Sequence, residues 1–220
     1  MEDGKVMINI VYEDNHLLVV EKPVNVPVVA DDSKDSDLLS ILKAYLKRKY
    51  DKPGNVYLGL VHRLDRPVGG LIVFAKTSKA ASRLSEQIRT HKIKKTYTAV
   101  VNGRLPKEGT LKDKLEKNHK TNMVKVSENG KEAELSYQSL AYKDNFTLVK
   151  ISLKTGRSHQ IRVQFASRNY PLYGDQRYNP NTPKDQIALF ASKLEFMHPV
   201  TKEVLTFELP LPSRYPYNIF

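Results

Sequence analysis

The strongest constraint on this chain is the way its β-forming runs are spaced. Stretches rich in Val, Ile, Leu, Phe, Tyr and Thr recur from INIVY, near residue 8, to VLTFELP, near residue 210, and several stand in adjacent pairs. INIVY and HLLVV are separated only by the turn-forming cluster Glu13-Asp14-Asn15, and IALFASKLEF and EVLTFELP by a region around His198-Pro199. AELSYQSLAY and FTLVKISL form a third pair of long runs. Strands joined by short turns pair antiparallel, because a parallel partner needs a long crossover. Few stretches carry helical spacing. The pattern predicts an α+β fold: a large mixed, mostly antiparallel sheet flanked by a few helices, rather than a doubly wound one.

Three helices are expected. In 37–49, Leu38, Leu42, Tyr45 and Leu46 share a face opposite Lys43 and Lys47, with Asp35, Ser36 and Asp37 as candidate caps and Pro53-Gly54 as the stop. A second covers about 78–91 with Ala81, Leu84 and Ile88 inward, and a short third covers 158–168. The two prolines of EKPVNVPV imply an extended segment. The polar stretch 104–130, rich in Lys, Asn and Gly, is expected to form one or two short hairpins standing off the core. No repeat or composition break divides the 220 residues, so a single domain over 1–220 is expected.

Composition narrows the chemistry. The chain has no cysteine, which excludes disulfides, thiolate catalysis and cysteine-ligated zinc. Its six histidines never take HExxH or HxH spacing, and no GxGxxG or GxxxxGK[ST] element occurs, so no metal and no nucleotide cofactor is expected. The formal net charge of +12 favours polyanionic partners. The opening MEDGKVMINI lacks the pattern of a secretory leader, and runs such as LLVV are too short to span a bilayer. A soluble cytoplasmic protein is expected.

Three clusters can carry chemistry. Asp65 follows a β-like run in YLGLVHRLD and precedes Gly69-Gly70; Arg63 and Arg66 beside it favour the ionised carboxylate, a form able to act as a nucleophile. Read alone, the same Asp is more readily a turn residue beside two glycines than a catalyst. In LKTGRSHQIR, Gly156 permits a tight turn, Ser158 is placed to cap a helix, and Arg157 lies beside that helix start as a phosphate contact. His159 and Arg162, three apart, share a helix face, and Arg162 is able to pair with an acid such as Asp65. Tyr97 lies on a strand within RTHKIKKTYTAVV, where Lys94 and Lys95 stand among basic residues with no acid, a combination that suits base stacking in a nucleic-acid groove.

The order and wording of these segments resemble the RluA family of pseudouridine synthases over nearly the whole chain. YEDNHLLVVEKP is similar to the family's opening strand pair, VHRLD with GGLIVFAKT to the motif of its catalytic aspartate, and KKTYTAVVNG to the segment with its active-site tyrosine. ISLKTGRSHQIR resembles the segment of the arginine that pairs with that aspartate, and YPLYGDQRYN and ALFASKLEFMHPVTKEVLTFELPLP resemble the closing motifs. The resemblance implies a pseudouridine synthase fold and isomerisation of uridine in ribosomal or transfer RNA, without cofactor or metal, by a monomer. It implies Asp65 as catalytic carboxylate, Arg162 as its ion-pair partner, Tyr97 stacked on the uracil, and Arg63 entering the gap left by a flipped base. His62, Arg157, His159, Lys94 and Lys95 fall on the RNA-facing side of the same motifs.

Two departures stand out. Arg66-Pro67-Val68-Gly69-Gly70 replaces the hydroxyl-rich stretch usual after HRLD, and Val24-Asn25 replaces the usual Ala-Gly. Strands begin by about residue 8, so no S4-like RNA-binding domain is expected ahead of them. Two other classes compete: an RNA-binding module without turnover, and a glycoside hydrolase with Asp65 as nucleophile. The latter needs a second carboxylate, and Asp175 is the only acid inside a matched motif.

Overall fold

The computed structural model describes residues 7–31, 33 and 35–220, so the acidic opening Met1–Val6 lies outside the described residues. The strands in chain order are β1 (Asn9–Glu13), β2 (Leu17–Lys22), β3 (Gly59–Leu60), β4 (Gly69–Ala75), β5 (Lys94–Asn102) and β6 (Glu108–Asn118). They continue with β7 (Met123–Val126), β8 (Lys131–Lys143), β9 (Phe146–Leu153), β10 (Leu189–Met197) and β11 (Val204–Glu208). The helices are α1 (Leu38–Lys49), α2 (Ser78–Arg89) and α3 (Gln160–Ala166). The α+β class is as the strand spacing predicts. Two compact units result: residues up to Ile93 with Leu194–Glu208, and Lys94–Lys193 with Leu209–Phe220.

In the first unit β1, β2 and β4 lie side by side, each antiparallel to the next. The β1–β2 turn forms where Glu13-Asp14-Asn15 predicts it, with Asp14 Oδ1 accepting the N–H groups of His16 and Leu17, both at 2.7 Å. Every residue of β4 is buried, as expected of an unbroken apolar run with neighbours on both faces. Asp37 is the cap that α1 uses, accepting Ser40 N–H, and Leu38, Leu42 and Leu46 form its buried stripe. In α2 the buried residues are Ala80 and Leu84, with Ala81 and Ile88 half-buried, a small rotation of the expected face. The His198 turn is built on its ring: Nδ1 accepts Val200 and Thr201 N–H, and Nε2 bonds Asp14 Oδ2 at 2.8 Å.

In the second unit the strand order is β5-β9-β8-β6-β7. β8 and β9 are the long antiparallel pair the sequence suggests, closed by Asp144 and Asn145, both at positive φ. The stretch 104–130 holds a hairpin, β6 with β7, as expected, but it does not stand off the core, because β6 runs 11 residues and pairs with β8 as well. Only Leu111 and Leu115 of β6 are buried, four positions apart, which hides a half-buried strand from a period-two reading. Leu115, Val124, Ala133 and Val163 make a small core of their own there, with Tyr178 packed against it.

The third helix is shorter than expected. Ser158 does not cap it; His159 holds the cap position in the left-handed conformation (φ 51°), with no side-chain cap bond. Six of its seven residues are buried, so α3 is held by packing rather than by its ends.

Candidate active site

Asp65 lies in the first unit, half-buried, on the loop that leads into β4. Its carbonyl accepts Val68 N–H at 2.9 Å, so Arg66-Pro67 forms the tip of a tight turn and Val68 enters the core. The departure from the family's usual wording is accommodated as this turn. Arg63 is exposed and forms no hydrogen bond or ion pair among the described residues. The His62 ring accepts Val73 N–H through Nε2 at 3.1 Å, which ties the HRLD segment to β4. Arg66, expected beside Asp65, instead directs its guanidinium to Asp31, Ser33 and Asp35.

A residue not singled out in the sequence underlies this turn. Lys22, at the end of β2, is only 1% exposed. Its ammonium donates to the carbonyls of Pro23 (2.8 Å), Val26 (2.7 Å) and Arg66 (2.9 Å), so one buried cation holds both the Pro-rich segment and the residue after Asp65. Burial pushes its pKa down to about 7, against which the negative charge of Asp65 acts to keep it protonated. Lys22 is thus a buried cation that feels the charge of Asp65, whereas the Arg66 guanidinium is engaged by Asp31 and Asp35.

The remaining expected residues lie in the second unit. Tyr97 is buried in β5, opposite Ile151 of β9. Lys94 is exposed at the start of β5 and Lys95 half-buried next to it. Arg157 is exposed, its Nε donating to the Glu132 carbonyl at 2.8 Å.

Arg162 is buried on α3, and its Nε and Nη2 meet both carboxylate oxygens of Asp175, at 2.9 and 2.7 Å. This two-point geometry fixes the guanidinium plane as well as its position. The Tyr178 ring lies 5.2 Å from the guanidinium carbon. Tyr178 also joins α3 to the edge of the sheet, since its hydroxyl accepts Val124 N–H at 3.0 Å and bonds His159 Nδ1 at 2.7 Å. Asp175 is thus a fully buried structural acid bound to arginine, the opposite of the proton-donating partner a glycosidase requires. Its motif signalled it; its partner was not deducible from spacing. Among the described residues no group of three or more His, Asp or Glu is placed to hold a metal, and no helix is long and apolar enough to cross a membrane.

A family model for RNA pseudouridylate synthase matches residues 16–167, a span that holds Lys22, Asp65, Tyr97 and Arg162. The chain belongs to this family, and within it to the RluA type. It is 35% identical to the uncharacterized RNA pseudouridine synthase YhcT of Bacillus subtilis (strain 168), over 94% of this chain and 69% of that protein. It is also 35% identical to ribosomal large subunit pseudouridine synthase D of Nitrosomonas europaea, over 94% of this chain but only 62% of that longer protein. The solved structure of human RNA pseudouridylate synthase domain containing 1 shares the fold, with a TM-score of 0.78 at 24% identity, covering 97% of this chain and 88% of that one. The protein is therefore an RNA pseudouridine synthase, an isomerase.

Proposed function

We propose that this enzyme isomerises uridine in ribosomal or transfer RNA, with Asp65 as the catalytic carboxylate and the target nucleotide turned out of its helix. The C1′–N1 bond breaks, uracil rotates while held, a C1′–C5 bond forms, and the C5 proton leaves as N1 gains one. Substrate and product contain the same atoms, so no oxidant, reductant or cofactor is consumed. A base stacked in a duplex is out of reach, and extruding it costs a few kcal/mol, about the strength of one or two charge-assisted hydrogen bonds. Exposed Arg63, two residues before Asp65, supplies a side chain to fill the gap. Tyr97 receives the uracil, and Arg162 orients and pairs with the catalytic carboxylate. His62, Arg157, His159, Lys94 and Lys95 complete the RNA-facing set. The enzyme acts as one catalytic domain, as a cytoplasmic monomer.

The observation that carries this reading is the turn at Asp65. A half-buried carboxylate, on a loop pinned by a buried cation, is costly to build for a turn that asparagine or serine would make as well. The relatives named for the large ribosomal subunit favour ribosomal RNA as substrate. The test is tritium release from RNA labelled at uridine C5, using a large-subunit ribosomal transcript and bulk transfer RNA. Wild-type protein is expected to release tritium and Asp65→Asn to release none. Equal release by both removes Asp65 from the mechanism, and no release from either RNA by wild type favours a binding module.

A further inference from the structure

Lys95 is the one cation of the RNA-facing set that is both desolvated and unengaged. Its ammonium has no hydrogen bond and no acid partner among the described residues. Burial alone acts on it, lowering its pKa, with no neighbouring carboxylate to offset that cost. A lysine that only needed to be solvated would turn outward, since its stem is long enough to reach water.

Its position is specific. Lys95 and Tyr97 are two apart on β5 and so project from the same side of the strand. Directly opposite them on β9 are Leu153 and Ile151, and beyond these on β8 Leu135 and Tyr137. Tyr137 meets Phe165 of α3 edge-on at 5.6 Å, so this is the sheet face covered by the helix that carries Arg162. At the rim of that face the Lys95 ammonium stands over Gly156, 3.1 Å from where a Cβ of residue 156 would lie. Neither Gly156 N–H nor Ser158 N–H donates to any protein acceptor, and both residues are exposed. Nothing here depends on the dipole of the short helix that follows.

We propose that Lys95, standing over Gly156 on the Tyr97 side of β5, binds a backbone phosphate of the RNA strand whose uridine Tyr97 receives. The inference rests on the role proposed for Tyr97. Two strand residues span about 6.7 Å, comparable with the reach from a base to the phosphate of its own nucleotide. A phosphodiester supplies the negative charge that the fold withholds, and Gly156 keeps the approach open where any side chain would crowd the ammonium.

The experiment measures the affinity of the full chain for a fluorescently labelled large-subunit ribosomal transcript between 50 and 300 mM NaCl (roughly the range over which counterion release is read). Lys95→Met is expected to weaken binding about tenfold at low salt and to lower the log–log salt slope by about 0.7–0.9. Lys95→Arg restores the slope. Gly156→Ala is expected to weaken binding in the same sense but by less, because its Cβ would lie 3.1 Å from the ammonium, which must shift by a few tenths of an ångström. Lys143→Met removes the same charge at the far end of the β8–β9 hairpin and is expected to leave the slope unchanged. Lys95→Met also removes a desolvation penalty, so its unfolding midpoint should equal or exceed that of wild type. An unchanged slope in Lys95→Met, or an equal loss in Lys143→Met, overturns the phosphate contact while leaving tritium release intact. Absent tritium release with a slope change at Lys95 overturns the enzymatic reading instead.

Discussion

Replacing Asp175 with alanine takes away the acid that holds the Nε–Nη2 edge of Arg162. The side chains of Arg162 and Asp175 are 7% and 0% exposed, so water cannot take the place of the lost carboxylate. Removing one partner of a buried, hydrogen-bonded pair costs about 3–5 kcal/mol, a large share of the roughly 5–15 kcal/mol that stabilises a typical domain. For a chain of this size that corresponds to a fall in melting temperature on the order of 10 °C. Removing both charges is different: Asp175→Leu with Arg162→Met leaves an apolar pair, which is neutral or stabilising where packing allows. The double variant is therefore expected to recover part of the stability lost in Asp175→Ala, since it also takes from Asp65 the partner proposed for it, but none of the tritium release. Urea unfolding followed by circular dichroism, with the release assay run on the same preparations, separates the two effects. A loss below about 1 kcal/mol in Asp175→Ala, the value of a solvent-screened pair, would refute the argument from burial. Activity in the double variant would refute the role of Arg162.

Lys22 has a folded pKa of about 7 against an ordinary 10.5, so between these values the unfolded chain binds more protons and stability rises with pH. Relative to Lys22→Met, wild type should gain up to about 1.4 kcal/mol per pH unit from pH 7 to 9; parallel urea profiles for the two proteins would exclude this. At Glu13, burial raises the carboxyl pKa, but hydrogen bonds from Lys49, Tyr50, Lys76 and Tyr45 outweigh it and bring the value to about 2 from 4.5. Its contribution of about 3 kcal/mol is present above pH 4.5 and lost as pH falls toward 2, so Glu13→Gln should be destabilised at neutral pH and lack that acid transition in a pH titration of unfolding free energy. Gly174, next to Asp175, has φ 72°, and an added Cβ would lie 2.6 Å from the Gln186 carbonyl oxygen. Gly174→Ala is expected to cost at least about 1–3 kcal/mol, read as a lowered melting temperature; an unchanged one would show that the turn has slack.

Most elements were legible because local chemistry decides them. The turn at Asp14 needs only an Asx side chain reaching its own backbone, and the stripe of α1 only a period of 3.6. The helix after Gly156 was legible as a helix but not in its start. Ser158 is a good cap by type, yet α3 is set by burial of its whole length, and tertiary packing put His159 in the cap position with a left-handed backbone. Strand β6 was legible as part of a hairpin but not in its length or its place in the sheet, for the reverse reason. Most of its residues are polar because its buried positions are few, and the partners that make it a strand lie on either side in β7 and β8.

The candidate site divides along the same line. Asp65, Tyr97 and Arg162 were nameable from ordered motifs, whereas the groups that hold them were not, because their contacts cross long sequence separations. Lys22 meets the Arg66 carbonyl across 44 residues, and Gln164 and Arg168 reach Asp113 across 51 and 55. One signal for Lys22 was nevertheless present. β4 reads GGLIVFA, apolar on both faces, so it must lie between neighbours, and the β2 run LLVVEK is its natural partner. A lysine ending such a strand, directly before Pro23, has no free edge from which to reach water. Inward-facing charge in a strand of that kind must find acceptors in the loops that cap the sheet. The loop over that end of the sheet is the one that carries Asp65. A buried lysine at this position is therefore a pointer to the turn that carries Asp65, derivable from strand pairing before any side chain is placed.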